Sequence, residues 1–397
     1  MDIARKLQQP ENKPISCIEM HTCGEPTRII IDGYPNATGT LLEQRTQARQ
    51  KYDHIRRRVI LEPRGHYDMY GAVLRPNTEL TQSGQAHMGV LFMTNNGYST
   101  MCGHATIALG RFLLDTHDLN IFPRRNDITW DPKARIAHLN LHAPCGLLRL
   151  RVPVTPDGKA SDPSKPVSFV SVPSFATGIR VPITIGHPWP QLGREDAAQA
   201  SISVDFAYGG AFYAFVDARS LGFKEHLQDI DMRELNKATE CLLRCIRDQP
   251  ELTSYYRHPE EPELSFLYGV IVTDSVLRQG KPVLNAELGV CFFADQEIDR
   301  SPTGSGVAAR EALAYCKGER GTGVAWSYHS LVSNCDLGPP FVGTIEIADS
   351  NTRQIKTAQV YVRVNGQAFY SGFSTFSVER EDPLGDSGFV FTKLATS

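Results

Sequence analysis

Met101-Cys102-Gly103-His104-Ala105-Thr106 and Asp299-Arg300-Ser301-Pro302-Thr303-Gly304-Ser305-Gly306 share one plan, with Cys102 and Thr303 standing 201 residues apart. Each stretch is a turn that presents one nucleophile-type side chain, then a glycine, then small residues at helical spacing. The match runs outward in both directions. Gly89-Val90-Leu91-Phe92 begins 13 residues before Cys102, and Gly289-Val290-Cys291-Phe292 begins 14 before Thr303. Downstream, Ile107, Ala108, Leu109 and Phe112 answer to Val307, Ala308, Ala309 and Leu313. Strand, loop, turn and buried helix therefore occur twice, once per half.

This duplication predicts an α+β fold of two pseudo-twofold-related, β-rich halves, each wrapping one central helix, with an active site at their seam. Residues 15–190 are expected to form the half carrying Cys102, and 191–365 the half carrying Thr303. The tail, 366–397, is free to return to the first half. Two helix starts meeting at a seam would offer backbone N–H groups to an anion from both sides.

Composition narrows the function. A chain of 397 residues exceeds one ordinary domain, and 41% hydrophobic residues suffice for two cores. The net charge of −3 comes with no basic block, so neither nucleic acid nor an acidic membrane is expected as a partner. No apolar run reaches the eighteen or so residues that span a bilayer, and Met1–Ser16 has no apolar signal core. Nine cysteines, an odd count without CxxC spacing, read as reduced thiols of a cytoplasmic protein.

Along the chain, Ile18–His21 and Thr27–Ile31 read as strands about a turn at Gly24 and Pro26. Leu41–Leu61 reads as helical, with Arg56, Arg57 and Arg58 on a solvated face. Tyr70–Leu74 and His87–Met93 read as strands, and Asn95-Asn96-Gly97 as the turn leading toward Cys102. The helix from Gly103 to about Leu114 is apolar nearly all round, hence buried. Period-two alternation marks Leu139–His142 and Leu148–Val152, and the texture changes around 184–194. Strands follow over Ile202–Val216, then a helix over Glu225–Arg247 whose exposed face is compatible with a homodimer. Leu267–Thr273, Val360–Val364 and Ser374–Val378 complete the strands.

The chemistry follows from Cys102. A thiol has a reference pKa of about 8.5, and the positive end of a helix dipole favours its thiolate. Such a group is suited to removing a proton from the α-carbon of an amino acid. The amides of Gly103, His104, Gly304 and Ser305 are placed to hold a carboxylate, and Asp299 to accept from an ammonium group. His104 is positioned to bond substrate or to tune Cys102. Thr303 also suits a helix N-cap, and the remaining cysteines read as small buried hydrophobes. Cys102-x-His104 alone is poor metal spacing, and no nucleotide-binding glycine loop is present, so no cofactor and no metal are expected.

These two stretches resemble the signature motifs of the proline racemase superfamily. His21-Thr22-Cys23-Gly24-Glu25-Pro26 is similar to its N-terminal motif, and Gly209-Gly210-Ala211-Phe212-Tyr213-Ala214 to a further one. The resemblance spans about Ile15 to Val378 and implies a diaminopimelate-epimerase-like fold. It also implies cofactor-free chemistry on a small imino acid, with Cys102 as proton acceptor and Gly103, His104, Asp299, Gly304 and Ser305 binding substrate.

Two departures matter. Cys23 replaces the usual glycine of the N-terminal motif. Thr303 stands where racemases and epimerases carry a second cysteine, and an alcohol is too weak an acid to complete a two-base shuttle. Within the superfamily, Cys then Thr is the pattern of trans-3-hydroxy-L-proline dehydratases, so Thr303 is expected to face the substrate opposite Cys102. The expected reaction yields 1-pyrroline-2-carboxylate. The alternatives are 4-hydroxyproline 2-epimerase or proline racemase activity, or a non-catalytic binding protein on the same fold.

Overall fold

The computed structural model describes residues 2–193, 201–277, 283–348 and 358–394. It divides into two compact units, Met1–Phe169 with Gln367–Ser397, and Val170–Gly366. The architecture is mixed α/β, rich in strands, with few helices.

In the first unit the principal strands are β1 (Ile15–Thr22), β2 (Glu25–Asp32), β3 (Gly71–Arg75), β4 (Met88–Met93), β5 (Tyr98–Ser99), β6 (Ile136–Ala143) and β7 (Gly146–Pro153). Helices α1 (Leu41–Lys51), α2 (Asp53–Ile60) and α3 (Gly103–Asp115) interrupt them. The second unit holds β8 (Phe175–Thr184), β9 (Ser201–Tyr208), β10 (Phe212–Asp217), β11 (Leu267–Asp274), β12 (Ala286–Phe293), β13 (Glu297–Ile298), β14 (Ala325–His329), β15 (Phe341–Ala348) and β16 (Val360–Gly366), with helices α4 (Met232–Arg247) and α5 (Gly304–Cys316). A last strand, β17 (Ala368–Phe376), lies antiparallel on β1 and so belongs to the first unit.

The seven-strand order of the first unit recurs in the second, which adds an eighth strand, β16. In the first it is β17-β1-β2-β3-β4-β6-β7, antiparallel except at β2–β3 and β4–β6. In the second it is β8-β9-β10-β11-β12-β14-β15-β16, antiparallel except at β10–β11 and β12–β14. Register matches as well as order. Phe92 pairs with Ala72 and Met93 with Gly71; Phe292 pairs with Val270 and Phe293 with Gly269. The repeated Gly-Val-x-Phe tetrads thus occupy equivalent strand positions.

Each order brings its strands around one helix. Helix α3 packs on β1, β2, β6, β7 and β17, and α5 on β8, β9, β10, β15 and β16. Both are apolar or small on nearly every face, and a helix without a polar face must be covered all round. Only Arg111 and Asp115 of α3 escape burial. In the second unit, the amides of Ser171 and Ser174 donate to the carbonyls of Val362 and Val360, which joins the lead-in of β8 to β16.

Three local expectations are revised. The second unit takes in β8, which precedes the change of texture at 184–194, because β8 pairs with β9; position 194 itself lies outside the described residues. Helix α4 begins at Met232 rather than Glu225, because the Asp231 carboxylate caps it through the Arg233 amide at 2.7 Å. The arginine cluster of α2 is not a solvated face: Arg56 and Arg58 are buried. Arg56 pairs with Asp53 at 2.6 Å and donates to the carbonyls of Thr94 and Asn95, each at 2.8 Å. A guanidinium leaves water only where such acceptors replace it.

Candidate active site

Cys102 is the N-cap residue of α3, in extended conformation, and its Sγ accepts the Ala105 amide at 3.3 Å. The sulfur therefore sits at the positive end of a thirteen-residue helix. The backbone carbonyl of Cys102 is tied down by the Thr106 hydroxyl at 2.6 Å and the Thr106 amide at 3.1 Å. His104 Nδ1 lies 3.2 Å from Sγ, so thiol and imidazole share a contact. Tyr70 packs edge-on against the His104 ring, with centroids 4.6 Å apart, and bonds Ser99 through its hydroxyl at 2.7 Å. Upstream, Arg45 donates to the Tyr98 carbonyl at 2.9 Å and Arg56 holds the β4–β5 turn, so buried guanidinium groups fix the approach to Cys102.

The second helix start is built differently. Thr303 has φ 61 and ψ 86, in the left-handed region. A β-branched residue pays about 1–3 kcal/mol there and persists only where its surroundings over-determine it. They do so here. The Asp299 carboxylate accepts the Thr303 hydroxyl at 2.8 Å and the Ser301 amide at 2.7 Å. The Ser301 hydroxyl accepts the Thr303 amide at 3.1 Å, and the Thr303 carbonyl accepts the Val307 amide at 2.7 Å. Thr303 is thus no side-chain cap: its proton goes to Asp299 and not its oxygen to a helix amide. The turn is also longer, with residues 299–302 between Ile298 and Thr303 against 100–101 between Ser99 and Cys102. Asp299 lies in that extra length, which is why the first turn has no carboxylate like it.

Two hairpin turns from the other motifs lie against the helix starts, one in each unit. Cys23 and Gly24 join β1 to β2 with φ 51 and 83, the sign pattern of a type I′ turn. Glycine suits the first of these positions better than Cys23 does. Beside it, the Thr22 hydroxyl donates to the His104 carbonyl at 2.9 Å. In the second unit the corresponding turn is Gly209-Gly210-Ala211, one residue longer, between β9 and β10, and Tyr213 shares a 2.7 Å hydrogen bond with the Ser305 hydroxyl. A Cβ on Gly209 would lie 2.2 Å from the Ser305 carbonyl oxygen and 2.6 Å from the Ala309 nitrogen. Gly209→Ala is therefore expected to lower stability by about 3 kcal/mol in chemical denaturation, since backbone atoms rather than a flexible side chain must give way.

Of the sequence-derived candidates, Cys102, Gly103 and His104 gather at the start of α3, and Asp299, Thr303, Gly304 and Ser305 at the start of α5. All seven are buried. Thr22, Tyr213 and Ser301 are additions: the contacts of the first two join segments that only the folded chain brings together, and Ser301 bonds within its own turn. Among the described residues no group of three or more His, Cys, Asp or Glu side chains could hold a metal ion. No helix among them is long and apolar enough to cross a membrane.

Comparison with known proteins agrees with this architecture. The profile of the family described as proline racemase matches residues 17–390. Human trans-3-hydroxy-L-proline dehydratase is 41% identical over 386 residues, covering 96% of each chain. The protein of that name from Colwellia psychrerythraea is 34% identical over 386 residues, covering 96% of this chain and 93% of the other. Among solved structures, a hydroxyproline epimerase from Agrobacterium vitis superposes with a TM-score of 0.75 at 22% identity, covering 96% of both chains. At that identity the likeness speaks for the fold. With the family profile matched across nearly its whole length, the chain belongs to the proline racemase family.

Proposed function

We propose that the chain is a cofactor-independent hydro-lyase that converts trans-3-hydroxy-L-proline into 1-pyrroline-2-carboxylate. The observation that carries the proposal is the inequality of two equivalent helix starts: one bears a thiol, the other an alcohol already bonded to a carboxylate. The dehydratases named above are 34–41% identical to the chain over most of its length. The finer fold reading, a diaminopimelate-epimerase-like pair of halves, is supported by the seven-strand order that recurs in the two units.

In this reading the Cys102 thiolate removes the α-hydrogen of the substrate. The C–H electron pair forms the double bond between the α-carbon and C3 as the C3–O bond breaks. The 3-hydroxyl lies on the same ring face as the α-hydrogen in the trans isomer, so the newly formed thiol protonates the departing hydroxide. Water and an enamine result, the thiolate is regenerated, and the enamine tautomerises to the cyclic imine. One base on one face suffices, and a second thiol is dispensable. The amides of Gly103, His104, Gly304 and Ser305 hold the carboxylate, Asp299 the ring ammonium, and His104 tunes the sulfur it touches. Thr303 orients the substrate through its oxygen, its own proton being committed to Asp299.

The test is direct. Purified protein incubated with trans-3-hydroxy-L-proline should release an imine detectable with a ketone or imine reagent, and no product from the wild type sinks the proposal. In deuterium oxide, Thr303→Cys should acquire α-deuterium exchange with inversion on 4-hydroxyproline or proline, at least tenfold above the wild type. A variant that gains none would remove Thr303 from the position of the second base.

A further inference from the structure

We propose that Arg310 is a positioning residue for Thr303, acting on the catalytic turn from two helical turns away; this rests on reading Thr303 as part of the catalytic site. Arg310 lies on α5 and is only 4% exposed. Its Nη2 donates to the Pro302 carbonyl at 2.8 Å, and its Nη1 to Glu287 Oε1 at 2.9 Å. The guanidinium lies over the Tyr328 ring, 4.6 Å from its centroid.

The Pro302 carbonyl is a telling acceptor. Proline has no N–H, so that oxygen is the one backbone hydrogen-bonding group of the residue before Thr303. It also belongs to the peptide plane whose orientation sets φ of Thr303. Holding the oxygen holds the torsion, and that torsion is the left-handed one a threonine resists. The helix that Thr303 begins thus reaches back with its own side chain to keep its first turn in place.

Glycine makes room for this arm. A Cβ on Gly289 would lie 2.7 Å from Arg310 Nη1. Gly289 opens the second Gly-Val-x-Phe tetrad, so part of the repeat signature serves the guanidinium. The helix of the first unit carries no arginine at the matching position. Leu109 stands seven residues after Cys102, as Arg310 does after Thr303, and a Cβ on Gly89 would meet Thr78 and the Arg75 carbonyl instead. Of the two central helices, it is the one after the strained threonine that carries an arginine at this position.

Two variants reach the arm by different routes: Arg310→Met removes it, and Gly289→Ala pushes it aside with its charge intact. Both are to be compared with Thr303→Ala and with the Arg310→Met/Thr303→Ala double variant. Arg310→Met is expected to lower kcat for dehydration 10- to 100-fold with KM within threefold, and Gly289→Ala to lower kcat about tenfold. In the Thr303→Ala background the same Arg310→Met change should cost less than threefold, because its target is gone. Equal losses in both backgrounds, or unaltered kcat in Gly289→Ala, would overturn the inference. Amide hydrogen exchange over 299–307 supplies a readout without substrate and should quicken at least tenfold in whichever variant folds; unchanged exchange also overturns it. A wild type that fails to dehydrate would instead discredit the reading of the site, and that is seen before any variant is made.

Discussion

Cys102→Ser loses dehydration by about 10³-fold or more while keeping its fold, the expected result if the sulfur is the base. The two halves of that expectation have separate causes. Sulfur is needed because a thiol with a reference pKa of about 8.5 is partly ionised near neutrality. The helix start adds to this through the Ala105 amide aimed at Sγ and the dipole behind it. A serine hydroxyl in the same place is a far weaker acid and supplies almost no base. The fold survives because serine is among the best N-cap residues, and its oxygen takes over the bond from Ala105. Cys102→Ala separates the roles further: it loses base and cap together, so it is expected to be equally inactive and less stable by about 1 kcal/mol. Steady-state kinetics beside thermal unfolding decides the matter. A Ser variant within tenfold of wild type would mean that another group takes the proton.

The duplicated plan could be read before any fold was known because strand and buried-helix patterns are local. Gly-Val-x-Phe and the small-residue run after each turn lie within short windows, and strand pairing places them in equivalent registers. Cys102 was legible for the same reason: a nucleophile directly before glycine and a buried helix needs no distant partner to be noticed. What escaped was set by long-range acceptors. Arg56 reads as a surface charge until Thr94 and Asn95 bring their carbonyls to it from 38 and 39 residues away. Gly209 reads as a place of close backbone approach, but which backbone comes close, that of α5, is set by the fold. Thr303 was found as a residue but not as a conformation, since a β-branched side chain is among the last expected at positive φ. The capping role it was offered went unfilled because a side-chain cap is made from extended backbone, as at Cys102, whereas Thr303 stands in the left-handed region.

Asp299→Asn is expected to cut kcat/KM for dehydration by about 10²- to 10³-fold, a loss beyond that of one neutral hydrogen bond. The change is nearly isosteric, so its effect is one of charge and proton direction. In the native turn both carboxylate oxygens accept, one from the Ser301 amide and one from the Thr303 hydroxyl. An asparagine has a single acceptor oxygen and an NH₂ group that only donates. If the NH₂ faced Ser301, two donors would meet, so the oxygen stays with the Ser301 amide and the NH₂ turns to Thr303. The Thr303 hydroxyl must then accept from position 299, and its proton swings free. A residue proposed to meet substrate as an acceptor becomes a donor, beside an imino acid whose ring nitrogen is itself a donor. The negative charge proposed to hold that ammonium is lost at the same step. The first effect should appear mainly in kcat and the second mainly in KM, so both parameters should move. Asp299→Asn within threefold of wild type in kcat/KM would leave the carboxylate as a builder of the turn and nothing more. The Ser301 contact survives in the variant, so the unfolding temperature should shift by only a few degrees whichever kinetic result is obtained.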